Sequence, residues 1–357
     1  MSETANDLTS LLQKAVHDAF RERRPLRIRG SGTKAFYGRA VSGEPLDLAE
    51  HRGVIRHEPT ELFATARAGT PLAELGEVLA EHGQHLPFEP PMHGPGATLG
   101  GVLACGLSGP ARPYRGAARD AVLGMRIING KGEVLAFGGE VMKNVAGYDV
   151  SRLMVGAMGT LGVILDASLK VLPRPAAEAT LAFDVSMHDG LIDVNRWSAS
   201  PLPLSAACHD GDRLFVRLSG SIRAIDSARR RLGGDVVEDG SRFWNALRDQ
   251  SLPFFADGAG PLWRISVPPA TPPLSLPGTW LADWGGAQRW LRTDSPAQGV
   301  RSAAERAGGH ATLYRGAANG EEVFHPLPDA LHRLHENLKQ AFDPGRVLNR
   351  GRLYANL

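Results

Sequence analysis

Three glycine-bearing segments are the residues best suited to hold a ligand. Gly30-Ser31-Gly32-Thr33-Lys34-Ala35 follows the strand-like PLRIRG. Glycines so spaced let successive backbone N–H groups turn toward one point and make a nest for phosphate oxygens, and Lys34 adds charge. The letters also match the dinucleotide fingerprint G-x-G-x-x-G/A. That fingerprint needs a crossover helix of about ten residues next, and FYGRAVSGEP, with Gly38, Gly43 and Pro45, cannot supply it. The second segment is Ala97-Thr98-Leu99-Gly100-Gly101-Val102-Leu103-Ala104, leading into GLSGPARPYRG; its paired glycines permit close approach of a flat ligand or of another backbone. The third is Gly159-Thr160-Leu161-Gly162-Val163-Ile164. Each alone is equally a plain turn. Three in order, each beside an apolar stretch, are hard to explain by turns alone.

Titratable candidates are sparser. Lys143, Asn144, Tyr148 and Asp149 form a polar group in an apolar region and either edge a pocket or cap helix ends. His93 sits in a Pro/Gly loop, His310 enters a strand-like segment, and His325 is the next histidine after it. A lone histidine entering a strand is more often structural than a ligand. Cys105 and Cys208 are the only cysteines, far apart, which excludes a conventional cysteine-ligated iron–sulfur cluster and a disulfide framework.

The elements that must position these residues follow from periodicity. Leu8, Leu11, Leu12, Val16, Ala19 and Phe20 recur at helical spacing. LFATARAG (62–69) reads as a strand, with Thr70 as N-cap and Pro71 opening a helix that carries Leu72, Leu75 and Leu79 up to Gly83. Residues 87–101, rich in Pro and Gly, read as loop. AVLGMRIING and GEVLAFGG read as a hairpin, a helix is expected at about 145–157, and GVILDASLKVLPRP as a long strand. Composition changes at Pro173-Arg174-Pro175, the expected domain boundary. Beyond it RLFVRLSG, LWRISV, TWLADW and ATLYRG alternate with helices such as SIRAIDSARRRLGG, with VPPATPPLSLPG as a loop. A last helix places Leu331, Leu334, Leu338 and Phe342 on one face. The expected fold class is α+β, with domains at 1–173 and 174–325 and a C-terminal segment at 326–357.

With 40 basic and 38 acidic residues among 357, the chain is near neutral, and the clusters Arg21, Arg23, Arg24 and Arg229, Arg230, Arg231 read as solvated helix faces rather than a nucleic-acid patch. The N-terminal segment has neither an early positive charge nor a continuous apolar run, so no signal peptide is expected. The uncharged, glycine-loaded run Leu153–Leu165 is too short to span a bilayer. A soluble, cytoplasmic protein is the expectation.

GSGTK, ATLGGVLACGLSG, KNVAGYDVSRLMVGAMGTLGVILDASLKVLPRP and FDPGRVLNRGR together resemble the vanillyl-alcohol oxidase and p-cresol methylhydroxylase (PCMH) family of FAD proteins, and within it the FAD-binding E-subunit branch of the bacterial glycolate oxidases. The resemblance implies a two-lobed PCMH-type FAD-binding domain with a small α+β cap domain. It implies that Gly30, Ser31, Gly32, Thr33 and Lys34 wrap the FAD pyrophosphate. Pro91, Thr98, Leu99, Gly100, Gly101, Ala104, Ser108 and Gly109 would line its path, and Gly162 and Ile164 its adenine or ribityl end. Covalent attachment in this family uses histidine; Thr33 stands at the comparable place and His51 is the nearest histidine on its C-terminal side, so the FAD is expected to be non-covalent. Implied partners are a catalytic D-type FAD subunit and an F-type iron–sulfur subunit, with a small 2-hydroxy acid as substrate, no nucleic acid, and at most peripheral contact with the inner face of the membrane through those partners. Relatives that oxidise a hydroxy acid themselves carry a histidine pair and a metal; here His310 is present without the acidic residue and second histidine of that motif. No catalytic residue and no metal are therefore assigned, and the chain is expected to relay electrons beside a partner. Two alternatives stay open: a stand-alone FAD oxidoreductase for a hydroxy acid or sugar lactone, and a structural subunit with a degenerate site. Arg350, where relatives commonly have proline, marks drift at the end of the motif.

Overall fold

A computed structural model describes residues 6–140, 149–256, 260–316 and 322–357. The chain divides into two compact units: Met1–Leu107 with Ala117–Pro173 and Pro326–Leu357, and Ser108–Gly116 with Arg174–His325.

The first unit is built on a five-stranded antiparallel sheet in the order Val54–Glu58, Phe63–Arg67, Val163–Lys170, Val122–Ile128, Val134–Gly138. The central strand Val163–Lys170 is buried along all but its last residue, its polar members Asp166 and Ser168 bonded to Arg126 and Thr65 on the neighbouring strands. The expected hairpin is present: Val122–Ile128 pairs with Val134–Gly138. Helix Leu72–Glu81 lays Leu72, Leu75 and Leu79 into the same core, and Gly83 at φ +64° ends it.

Leu26–Arg29 and Glu44–Asp47 form a separate parallel pair. The chain between them has no helix, which bears out rejection of a Rossmann unit. Parallel pairing nevertheless occurs, because an irregular loop makes the crossover.

Several local expectations are corrected. Thr70 does not cap the helix; its buried hydroxyl accepts from Gly53 N at 2.9 Å, and Pro71 holds the N-cap position without a side-chain bond. Residues 99–101 are not loop but the start of helix Leu99–Cys105, capped by Thr98, whose hydroxyl accepts from Gly101 N at 3.3 Å. Thr98→Ala is expected to cost about 1 kcal/mol, read as a lower urea midpoint with unchanged slope. Helix Thr9–Glu22 buries Leu12, Val16 and Ala19 but leaves Leu11 exposed. In helix Asp329–Phe342, Leu331 and Leu334 are exposed and the fully buried residue is Lys339. Of the helix expected at 145–157, the described part is Val150–Met154, with Asp149 as N-cap accepting from Arg152 N at 3.1 Å. Lys143, Asn144 and Tyr148 lie outside the described residues.

The second unit carries an eight-stranded antiparallel sheet: Asp235–Val237, Ala177–Phe183, Leu214–Gly220, Leu204–His209, Thr279–Asp283, Gln288–Arg292, Leu262–Ser266, His310–Arg315. Half of these strands were not read from the sequence. Helices Met187–Ser198 and Ile222–Leu232 cover one half through Val194, Ile225 and Ala228. Helix Ala297–Arg306 covers the other through Val300 and Ala304. Arg229, Arg230 and Arg231 are exposed in the last turn of Ile222–Leu232, where cations complement the helix dipole. No helix among the described residues is long and apolar enough to cross a membrane.

Candidate functional site

The three glycine segments converge in the first unit on one cavity of about 410 Å³. Its lining includes eleven of the residues singled out from sequence: Gly30, Ser31, Gly32, Thr33, Lys34, Thr98, Gly100, Gly101, Ala104, Gly162 and Ile164.

Local chemistry explains the shape. Gly32 has φ +80°, the left-handed region that glycine occupies without a Cβ penalty. The N–H groups of Ser31, Gly32 and Thr33 donate to no group among the described residues, leaving a run of backbone donors at the cavity. A Cβ on Gly30 would collide with the Thr98 hydroxyl, so the first loop and the Thr98 cap meet only because residue 30 has no side chain. Gly100 is equally tight: its N donates to Ala68 O at 2.8 Å, and a Cβ there would lie 2.6 Å from that of Ala68. A Cβ on Gly162 would lie 2.9 Å from Ile127 Cδ1.

The cavity is cationic. Arg27, Arg29, Lys34 and Arg352 line it, Arg29 paired with Asp47, and among the described residues no acidic side chain does. Lys34 is buried, with Nζ 3.4 Å from both Met92 O and Thr33 Oγ1. Cys105 also lines it; burial pushes its thiol up, partly offset by Lys34 and Arg352, so it stays protonated and unreactive at neutral pH.

Two lining residues come from the C-terminal segment and were missed from sequence. Asn349, at φ +39°, accepts from Ile28 N at 2.8 Å and donates to Met158 O at 2.7 Å, tying the first strand to the third glycine turn. Arg352 donates to Arg39 O at 2.8 Å and Ala35 O at 3.2 Å, and also to Tyr37 O, so its guanidinium holds the chain after the first glycine loop. Burial holds Arg352 below the ordinary arginine value. Both lie in FDPGRVLNRGR, one of the segments that carry the resemblance, but neither was given a role from sequence.

Four residues singled out from sequence are not among the lining. Leu99 is wholly buried in the apolar core, one residue into its helix. Pro91 is buried in the preceding loop. Ser108 and Gly109 belong to the second unit, where Gly109 O accepts from Trp284 Nε1 at 2.9 Å. Neither histidine candidate lines the cavity. His93, at φ +50°, makes an edge contact with Phe36, ring centroids 5.4 Å apart. His310 is exposed at the start of its strand. Among the described residues no three His, Cys, Asp or Glu side chains gather as a metal site.

Inward backbone donors, cations and closely approaching glycines fit a dinucleotide's diphosphate and flat rings. Comparisons with known proteins agree. Residues 9–138 match the FAD binding domain family. The glycolate oxidase subunit GlcE of Escherichia coli K12 is 48% identical over 351 residues, covering 98% of this chain and 99% of that one. The glycolate oxidase subunit GlcD of Bacillus subtilis 168 is 31% identical over 159 residues, 44% of this chain and 34% of its own length. The mitochondrial D-lactate dehydrogenase [cytochrome] of Arabidopsis thaliana is 38% identical over 133 residues, 37% of this chain and 23% of its own length. An alkyldihydroxyacetonephosphate synthase structure superposes with TM-score 0.65 at 16% identity, over 95% of this chain and 73% of that one, which shows a shared α+β, PCMH-type fold. With near-complete coverage by the first of these relatives, the chain belongs to the GlcE family of FAD-dependent oxidoreductases.

Proposed function

We propose that this chain is the non-covalent FAD-carrying subunit of a glycolate oxidase, working with a D-type catalytic FAD subunit and an F-type iron–sulfur subunit to oxidise glycolate to glyoxylate. The observation that carries the reading is the convergence of all three glycine segments on one cationic cavity in a chain 48% identical to GlcE along its whole length. In this reading residues 1–173 and 326–357 form the FAD domain and 174–325 the cap, except that Ser108–Gly116 packs with the cap residues.

The chain's own residues bind and orient. The N–H groups of Ser31, Gly32 and Thr33, with Lys34, face the diphosphate. Gly100, Gly101 and Ala104 give a flat ring system close access to backbone, and Gly162 and Ile164 border the other end. Pro91, Ser108 and Gly109 stay outside this assignment. When bound, FAD supplies electron storage and exchange. Thr33 stands where a histidyl attachment would be, and the lining contains no histidine.

The test is a spectrum of the purified chain. It is expected to be yellow, with absorbance near about 450 nm, the usual flavin band. Acid precipitation should release all the colour to the supernatant. Glycolate should bleach that band only when the partner subunits are added. A colourless chain that refuses supplied FAD overturns the reading, and bleaching of the lone chain makes it a self-sufficient oxidoreductase.

A further inference from the structure

The second unit holds a cationic cluster around a strained tryptophan that the flavin cavity does not use. Trp284 has φ +55°, followed by Gly285 at +63° and Gly286 at +96°. A bulky residue in that region is held there by its surroundings, and such positions gather at ligand sites. Trp284 N donates to Asp283 Oδ1 at 2.6 Å and its indole N–H to Gly109 O. The Arg112 guanidinium lies 4.2 Å from the ring centroid and that of Arg264 lies 5.3 Å away. Two cations from separate segments thus share one indole.

Arg264 is aimed rather than free to wander. Its Nε donates to Gln288 Oε1 at 2.6 Å, and Gln288 Nε2 reaches Asp283 Oδ2 at 3.4 Å, with Asp283 and Gln288 both buried. The two terminal amino groups of Arg264 have no acceptor among the described residues. Strand register puts His310 beside this group: Arg264 pairs with Thr312 and Ser266 with His310, so Arg264, Thr312 and His310 share one face. The opposite face, with Trp263 and Ile265, packs with Val300 and Ala304 of helix Ala297–Arg306. Although His310 as a residue keeps much of its surface, desolvation of its ring and then Arg264, His325 and Arg112 hold its pKa below the ordinary value. His325 is itself 3.0 Å from Glu305. The two guanidinium groups over the indole are thus the cations of this group, while the buried Asp283 carboxylate is turned to Trp284 N and Gln288 and Glu305 pairs with His325.

We propose that Arg264 and Arg112, with Trp284 as floor and His310 at the edge, form a binding site for a small carboxylate. Planar guanidinium groups pair with carboxylates through two parallel N–H···O bonds, which chloride cannot match and phosphate can, so the phosphate arm of the test below decides between the two oxyanions. The carboxylate is the group that a 2-hydroxy acid and its 2-oxo product have in common. Choosing those ligands rests on the function proposed above; the site itself does not depend on bound flavin.

Calorimetric titration of the full FAD-loaded chain with sodium glycolate and sodium oxalate, against sodium phosphate and sodium chloride, tests this. Saturable binding of the carboxylates is expected. Arg264→Gln and Arg112→Gln should each weaken it about tenfold or more, as for loss of a charged hydrogen bond, with the flavin spectrum unchanged. Arg264→Lys should recover little, because an ammonium lacks the paired geometry. If Arg264→Gln proves misfolded by circular dichroism, Arg112→Gln and the anion comparison on the unaltered chain decide. The proposal is overturned by absence of saturable carboxylate binding, by variants that bind as well as the original, or by phosphate or chloride binding as tightly. A yellow chain that ignores carboxylates refutes this site alone; a colourless chain that binds them refutes the flavin reading alone.

Discussion

Lys339→Met is expected to lower the stability of the first unit by about 3–5 kcal/mol, the usual cost of removing one partner from a buried ion pair. The ammonium donates to Asp343 Oδ2 at 2.7 Å, Thr160 O at 2.8 Å and Leu348 O at 2.9 Å, and the two side chains are 2% and 0% exposed. Asp343 in turn accepts from Val347 N at 3.0 Å and Leu348 N at 2.8 Å. Methionine retains most of the volume, so the loss isolates charge and hydrogen bonds from packing. Burial draws the Lys339 ammonium below the ordinary lysine range while Asp343 pulls it back. In the variant the carboxylate and two carbonyls lose their donor inside the core. Asp343→Asn added to Lys339→Met should recover part of the loss by neutralising the stranded charge. Urea denaturation of the three variants checks this, and a loss under about 1 kcal/mol for Lys339→Met would contradict the buried-pair argument. Because the pair anchors Val347–Leu348, next to Asn349 and Arg352, flavin retention should fall with stability.

Gly30→Val and Gly100→Val should each weaken FAD binding by about tenfold to a hundredfold, since overpacking a close contact costs about 1–3 kcal/mol and each 1.4 kcal/mol is a factor of ten. At position 30 the new side chain meets the Thr98 hydroxyl, and at position 100 it meets Ala68, wedging the helix start off its strand. Gly32→Ala separates this effect from backbone strain: nothing lies within 4 Å of its Cβ, but φ is +80°. It should cost about 1 kcal/mol of loop conformation without filling the cavity. Flavin-to-protein ratio after gel filtration, and FAD titration of the stripped chain, give the readout. Full flavin retention by both valine variants would show that these contacts yield without closing the site.

Sequence alone determined what depends on neighbours along the chain. The hairpin across Asn129–Gly132, the helix stop at Gly83 and the Asp149 cap are local steric and hydrogen-bonding facts, and the first glycine loop already read as a phosphate nest. Tertiary structure decided what depends on partners distant in sequence. Thr98 is a helix cap rather than a loop residue because Leu99 N and Gly100 N are satisfied by Thr70 O and Ala68 O, a pairing no window around residue 98 contains. Lys339 looks solvent-facing on a helical wheel; its burial is stable only because Asp343, Thr160 and Leu348 surround the charge. Arg352 and Asn349 reach the cavity from some 320 residues beyond the first strand. Local propensity ranks conformations one residue at a time, whereas cavity lining and buried charge are set by which segments the folded core brings together, and that remains invisible until the sheet register exists.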